Sequence, residues 1–143
     1  MKLLGIDFGI KRVGLAVTDA AATLAFPKKT LYRTTRETLF AALLTIIEEE
    51  KPELIVIGLP DVQETGDNEP ALIVRQIRNF AQALARRTSI PIQFVDETLS
   101  SEAALDDLRH SGRHGRRLTE VLDQQAAVRI LETFIAAGAV HRP

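Results

Sequence analysis

The stretch Lys2-Leu3-Leu4-Gly5-Ile6-Asp7-Phe8-Gly9-Ile10-Lys11-Arg12-Val13-Gly14-Leu15-Ala16-Val17-Thr18 decides the fold. Residues 2–8 read as a strand, Gly9 to Lys11 as a tight turn, and Val13 to Thr18 as a second strand. A third strand, interrupted by Pro27, covers Thr23 to Tyr32, and the short connections make an antiparallel meander. Thr34 and Glu37 have the capping-box spacing that opens a helix. Leu39, Ala42, Leu43, Ile46 and Ile47 follow at helical spacing, and Pro52 stops the run. Leu54-Ile55-Val56-Ile57-Gly58-Leu59 is apolar on both faces, as in a parallel strand covered on each side. A polar loop from Pro60 to Glu69 leads to Pro70 in the first turn of a helix carrying Ile73, Ile77, Phe80, Ala81 and Leu84. Ile90 to Val95 forms the fifth strand and delivers Asp96 and Glu97 at its end. A short helix over about 100–110, a basic loop and a last helix over about 119–137 complete the chain. The order β-β-β-α-β-α-β-α-α predicts an α/β fold: a mixed five-stranded sheet, three antiparallel strands and then parallel ones, with helices on both faces.

The chain's 143 residues suit one domain spanning 1–143. With 45% hydrophobic and 26% charged residues it is an ordinary globular composition, which argues against disorder. No cysteine means no disulfide framework and no thiolate metal site. The N-terminus reaches Asp7 too soon for a signal peptide, and no apolar run approaches the ~18–20 residues that span a bilayer. These features point to a cytoplasmic protein with no membrane partner.

A carboxylate stands where an apolar residue belongs. Asp123 begins a stripe continued by Ala127, Ile130 and Phe134, all on one face of a helix. A carboxylate facing a core needs a cation, a metal or a proton. Asp7 ends the first strand, Asp96 and Glu97 end the fifth, and ligand sites in such sheets form at the C-terminal strand ends. Strand alternation lets only one of Asp96 and Glu97 join Asp7 and Asp123, without saying which. Clustered acids repel unless cations compensate, and hard ions such as Mg2+ or Mn2+, two of them in many phosphodiester-cleaving sites, take oxygen ligands. Pairing of Asp123 with Arg12 is the competing explanation. His110, His114 and His141 lie in loops or the tail and build no rival centre.

The formal charge of −1 hides local basic segments. Arg109 to Arg117 holds Arg109, Arg113, Arg116 and Arg117 without an acid, and Lys28-Lys29, Arg33 and Arg36 lie earlier. Arg75, Arg78, Arg86 and Arg87 read as the solvated face of a helix. Lys11, Arg12 and the 109–117 loop are the candidate grip on a phosphate backbone. One tyrosine and no tryptophan disfavour extended base stacking, so duplex, junction or duplex-end substrates fit better than long single strands.

Four blocks resemble the YqgF (RuvX-like) family of the RNase H-like superfamily: Gly5 to Val17, Ile55 to Pro60, Asp96 to Ala103, and Asp123 to Ala127 with Ile130-Leu131. The resemblance implies a divalent-metal nuclease in which Asp7, Glu97 and Asp123 bind metal, and it chooses Glu97 over Asp96. Family members are described as processing the ends of pre-16S rRNA or as Holliday-junction resolvases; the latter role would call for a homodimer. The chain departs from the family at Thr98, where arginine is common, and in the acidic loop 61–69. Two other readings compete. The run Asp7-Phe8-Gly9 with Val17-Thr18-Asp19 is similar to the phosphate loop of actin-like ATPases and sugar kinases, which implies nucleotide phosphotransfer. The alternative is a nucleic-acid-binding module without catalysis.

Overall fold

A computed structural model describes residues 1–60, 69–96 and 116–138. Five strands form one sheet in the order β3-β2-β1-β4-β5. β1 (Leu3–Phe8), β2 (Arg12–Thr18) and β3 (Ala25–Tyr32) are antiparallel neighbours. β4 (Leu54–Leu59) runs parallel to β1, and β5 (Ile92–Asp96) runs parallel to β4. The mixed sheet expected from the element order is the one observed. The helix expected near 100–110, the basic loop up to residue 115 and residues 61–68 of the polar loop lie outside the described residues, whereas Arg116 and Arg117, expected in the basic loop, already belong to the last helix.

Alternation along the central strand divides the core in two. Leu4, Ile6 and Phe8 pack with α1 (Arg36–Glu50) and α2 (Glu69–Ala85). Leu3 points the other way, into a layer formed with Ala127, Ile130, Leu131 and Phe134 of α3 (Arg116–Ala136). Both faces of β4 are covered, with Ile55 and Ile57 in the first layer and Val56 in the second. Each fully buried Leu or Ile contributes roughly 1.5–3 kcal/mol, and Leu4, Ile6, Leu15, Ile55 and Ile57 are all 0% exposed. Phe8, Phe80 and Phe40 close the first layer, with ring centroids 4.4 and 5.6 Å apart.

Two local features refine the sequence reading. Pro27 does not break β3, because that strand is at the sheet edge and a bulge occurs beside it. Leu15 pairs with Lys29 but Ala16 pairs with Pro27, so Lys28 is the extra residue. The Lys28 ammonium reaches Glu50 at 2.8 Å, and Lys2 meets the same carboxylate at 2.7 Å. The cap of α1 is Thr35 rather than Thr34. Its hydroxyl accepts from Thr38 N–H at 3.1 Å and donates to the Thr38 hydroxyl at 2.7 Å. Thr38 therefore occupies the third helical position, where the Thr34–Glu37 box would have needed Glu37.

The turn after β2 is held by Asp19. Its Oδ1 accepts from the backbone N–H of Thr23 at 2.7 Å and Leu24 at 3.0 Å. Hydrogen bonds led by the Leu24 N–H lower its carboxyl from 3.8 to about 2. An acid whose folded pKa is depressed stabilises the fold above its unfolded value and loses that contribution as pH falls through the folded value. Wild-type stability should therefore decline between about pH 4 and about 2 in denaturant melts. Asp19→Ala should be less stable at neutral pH and flatter across that window.

Candidate functional site

Asp7 is the residue of β1 directly opposite Gly14 of β2. Residues directly opposite in an antiparallel pair project to the same face, with Cβ positions about 5 Å apart. At Gly14 that face is filled by α3. A Cβ built on Gly14 would lie 2.0 Å from the Asp123 carbonyl oxygen and 3.0 Å from the Asp123 Cβ. Only a residue without a side chain lets the helix backbone sit there. The Cβ atoms of Asp7 and Asp123 are accordingly within about 8 Å of each other, a gap that two inward-reaching carboxylates sharing one ion can span. Gly5, two residues before Asp7, repeats the contact one turn along: its Cβ would meet Leu131 Cγ at 2.6 Å and the Ala127 carbonyl at 3.0 Å.

Asp123 does share the face of Ala127, Ile130 and Phe134, which are 0%, 1% and 5% exposed. Its partner in the structure is Arg12, whose Nε donates to Asp123 Oδ2 at 2.7 Å. Burial pushes the Asp123 carboxyl up, the Arg12 guanidinium opposes that shift, and the charge of Glu120 one turn away adds to it. The first half of α3 is pinned to the sheet edge by further contacts. The Thr30 hydroxyl donates to the Glu120 carbonyl at 2.8 Å, and the Tyr32 hydroxyl bonds the Glu120 carboxylate.

The remaining expected residues divide as follows. Asp96 is exposed in β5 opposite Leu59, while Val95 packs into the α3 layer. Lys11 is exposed on the β1–β2 turn. Arg117 is exposed at the start of α3, six residues and about 9 Å of helix before Asp123. Glu97, Arg109, Arg113 and the side chain of Arg116 lie outside the described residues. Among the described residues no group of three or more His, Cys, Asp or Glu side chains gathers as a metal site. The donor chemistry of Asp7 and Asp123 fits a hard divalent ion, because both offer carboxylate oxygens and Arg12 engages only one Asp123 oxygen. Gly14 went unnoticed as a site determinant. Its signal was a glycine inside a strand, which marks the close approach of another backbone.

Comparison with known proteins places the chain. The family described as "RuvX: Holliday junction resolvase" matches residues 1–137. The chain belongs to the RuvX family. A relative from Nitratidesulfovibrio vulgaris (strain DP4), named "Putative pre-16S rRNA nuclease", is 52% identical over 142 residues, covering 99% of this chain and 98% of its own. A Maridesulfovibrio salexigens protein of the same name is 53% identical over 136 residues, 95% of this chain and 98% of its own. Among solved structures, Thermus thermophilus RuvC in complex with Holliday junction substrate superposes with a TM-score of 0.59 at 19% identity, covering 98% of this chain and 97% of that one. The yeast mitochondrial Holliday junction resolvase superposes at 0.51 with 14% identity, covering 93% and 77%. At these identities the likeness to RuvC and the yeast enzyme is one of fold. Among the described residues, no helix of this RuvX-family chain is long and apolar enough to cross a membrane.

Two outcomes follow from this geometry. Gly14→Ala should cost at least about 2 kcal/mol in chemical denaturation, because backbone rather than a flexible side-chain end occupies the space. Arg12→Ala should raise the Asp123 carboxyl further, since the cation favouring its charged form is removed; a carboxylate NMR titration showing a fall would contradict the pairing.

Proposed function

We propose that this chain is a divalent-metal-dependent nuclease that hydrolyses phosphodiester bonds in structured nucleic acid, with Asp7, Glu97 and Asp123 as the metal-holding acids. The observation that carries this reading is the seating of Asp123 on Gly14, the cross-strand partner of Asp7. Two hard-oxygen donors from the first strand and the last helix converge at the end of a β1 strand whose parallel neighbour is β4, where ligands bind in sheets of this kind. Alternation in β5 supports Glu97 as the third acid. Val95 packs toward α3 and Asp96 alternates away from it, so the period of two favours the residue after Asp96.

Bound Mg2+ or Mn2+, two ions in the full arrangement, would supply a water acidified for attack and charge neutralisation at the leaving oxygen. The protein's own part is positioning. Arg12 holds Asp123 through Nε, and its amino N–H groups would donate to a phosphate oxygen. Lys11 on the turn and Arg117 at the head of α3 are exposed and would meet the backbone by charge. Arg109, Arg113 and Arg116 extend that grip, giving salt-dependent binding with little base readout.

The relatives' name makes the ends of precursor 16S rRNA the first substrate to test. The family's description supports four-way DNA junctions as a second, which would require a homodimer presenting two active sites. Membership in this family and the nuclease name of its relatives favour this reading over nucleotide phosphotransfer and over a module that only binds.

Cleavage of a precursor rRNA fragment and a four-way junction should be compared with Mg2+ and Mn2+. Asp7→Asn and Asp123→Asn should each lower the rate by at least about 100-fold while remaining folded by circular dichroism. Unchanged rates in both variants would reject the site.

A further inference from the structure

The acids occupy one face of the end of β1, and a cleft occupies the other. Asp7 turns toward α3, whereas the next residue, Phe8, lines an opening of about 360 Å3 between the end of β1, the segment leading into α1, α1 itself and α2. That volume lies within the range of small-ligand sites. Phe8 and Phe80 form its apolar base, and its walls carry Arg33, Thr34, Arg36, Gln76 and Asn79.

Arg33 is the telling residue. Its Nη1 donates to the carbonyls of Gly9 at 2.8 Å and Ile10 at 2.7 Å, with a longer contact to Gln76 Oε1 at 3.4 Å. The guanidinium carbon lies 4.4 Å from the centroid of the Phe8 ring. Among the described residues no acid forms a salt bridge with Arg33 or Arg36, although Lys2, Arg12 and Lys28 are all salt-bridged. Desolvation shifts Arg33, pushing its pKa down, and among the described residues no carboxylate counters it. A half-buried cation with no salt bridge to an acid among the described residues, lining a cleft beside the exposed Arg36, is suited to a ligand that brings its own negative charge.

We propose that this cleft is a second contact for the substrate strand, in which Arg33 and Arg36 receive a backbone phosphate while Gln76 and Asn79 meet the adjoining sugar or base edge. The inference rests on the nuclease reading above and adds a subsite to it. The path between the two sites is short. They are separated by the Gly9–Lys11 turn, which Arg33 clamps from beneath through its carbonyls and whose Ile10 and Lys11 are exposed. A strand lying across that turn reaches the acids on one side and the cleft on the other. Arg33 thereby has two duties: it stiffens the turn, and it offers its remaining N–H groups to the strand.

The test uses Arg36→Glu, because Arg36 is exposed and its replacement spares the clamp made by Arg33. Lys29→Glu, an exposed cation on the edge strand β3, is the control for general charge. Binding of a labelled precursor rRNA fragment and a four-way junction is followed by fluorescence anisotropy across salt concentrations in the presence of chelator. Steady-state cleavage is measured with Mg2+. Arg36→Glu should weaken binding about tenfold or more, reduce the salt slope by about one, and raise KM with kcat nearly unchanged. Lys29→Glu should do markedly less. Equal effects of the two variants, or wild-type binding by Arg36→Glu, would overturn the subsite and leave the nuclease reading intact. Failure of the nuclease reading would show separately, as absent metal-dependent cleavage by the wild type, and the chelator-based binding comparison would still decide the cleft.

Discussion

The contact on which this structure turns is the approach of a helix backbone to a strand backbone at Gly14. Sheets and helices normally stand apart by the thickness of their side chains. Here the Asp123 carbonyl occupies the space where a β2 side chain would begin. Gly5 permits the same closeness farther along β1. The two glycines form a shallow channel in the sheet, and α3 lies in it with Asp123 at one end and Leu131 at the other. The identity of the paired residue then matters: Gly14 faces Asp7, so the packing that seats α3 also brings two acids together.

The seat of Asp123 carries an electrostatic cost. Asp123 is drawn out of water by the helix face it shares with Ala127 and Ile130, and burial disfavours its charged form. Arg12 offsets part of this through a 2.7 Å contact from the neighbouring strand end. Such a pair is poised rather than locked. A buried ion pair is a weak source of stability, and the residue at its centre keeps one oxygen outside the pair. Pinning of α3 through Thr30 and Tyr32 fixes the backbone, so adjustments at the site fall to side chains.

Much of this was legible in the sequence because the signals were local. The three-strand opening, the doubly apolar Leu54–Leu59 strand and the Asp123–Ala127–Ile130–Phe134 stripe each follow from periodicity, and the structure has all three. Pairing of Asp123 with Arg12 was also foreseeable as the alternative to metal. The misses have non-local causes. Pro27 weakens a strand in isolation, but nothing in the residues around it says that the strand lies at an edge beside a bulge. Thr34 and Thr35 compete for one cap, and a single-residue shift in the helix start is below the resolution of a spacing rule. Gly14 reads as a mild weakness in a strand until the helix arriving more than a hundred residues later is known. The cleft at Arg33 combines residues from β1, the loop before α1, and α2, a juxtaposition that exists only after folding.

The central claim is that Asp7 and Asp123 serve one divalent cation. Calorimetric titration of Mn2+ into the wild-type chain and into each acid-to-amide variant tests it directly, without a nucleic acid or a turnover assay. The account predicts saturable binding to the wild type and its loss or severe weakening in both variants, since each removes an oxygen charge from the same ion. Binding that survives either substitution unchanged would contradict it.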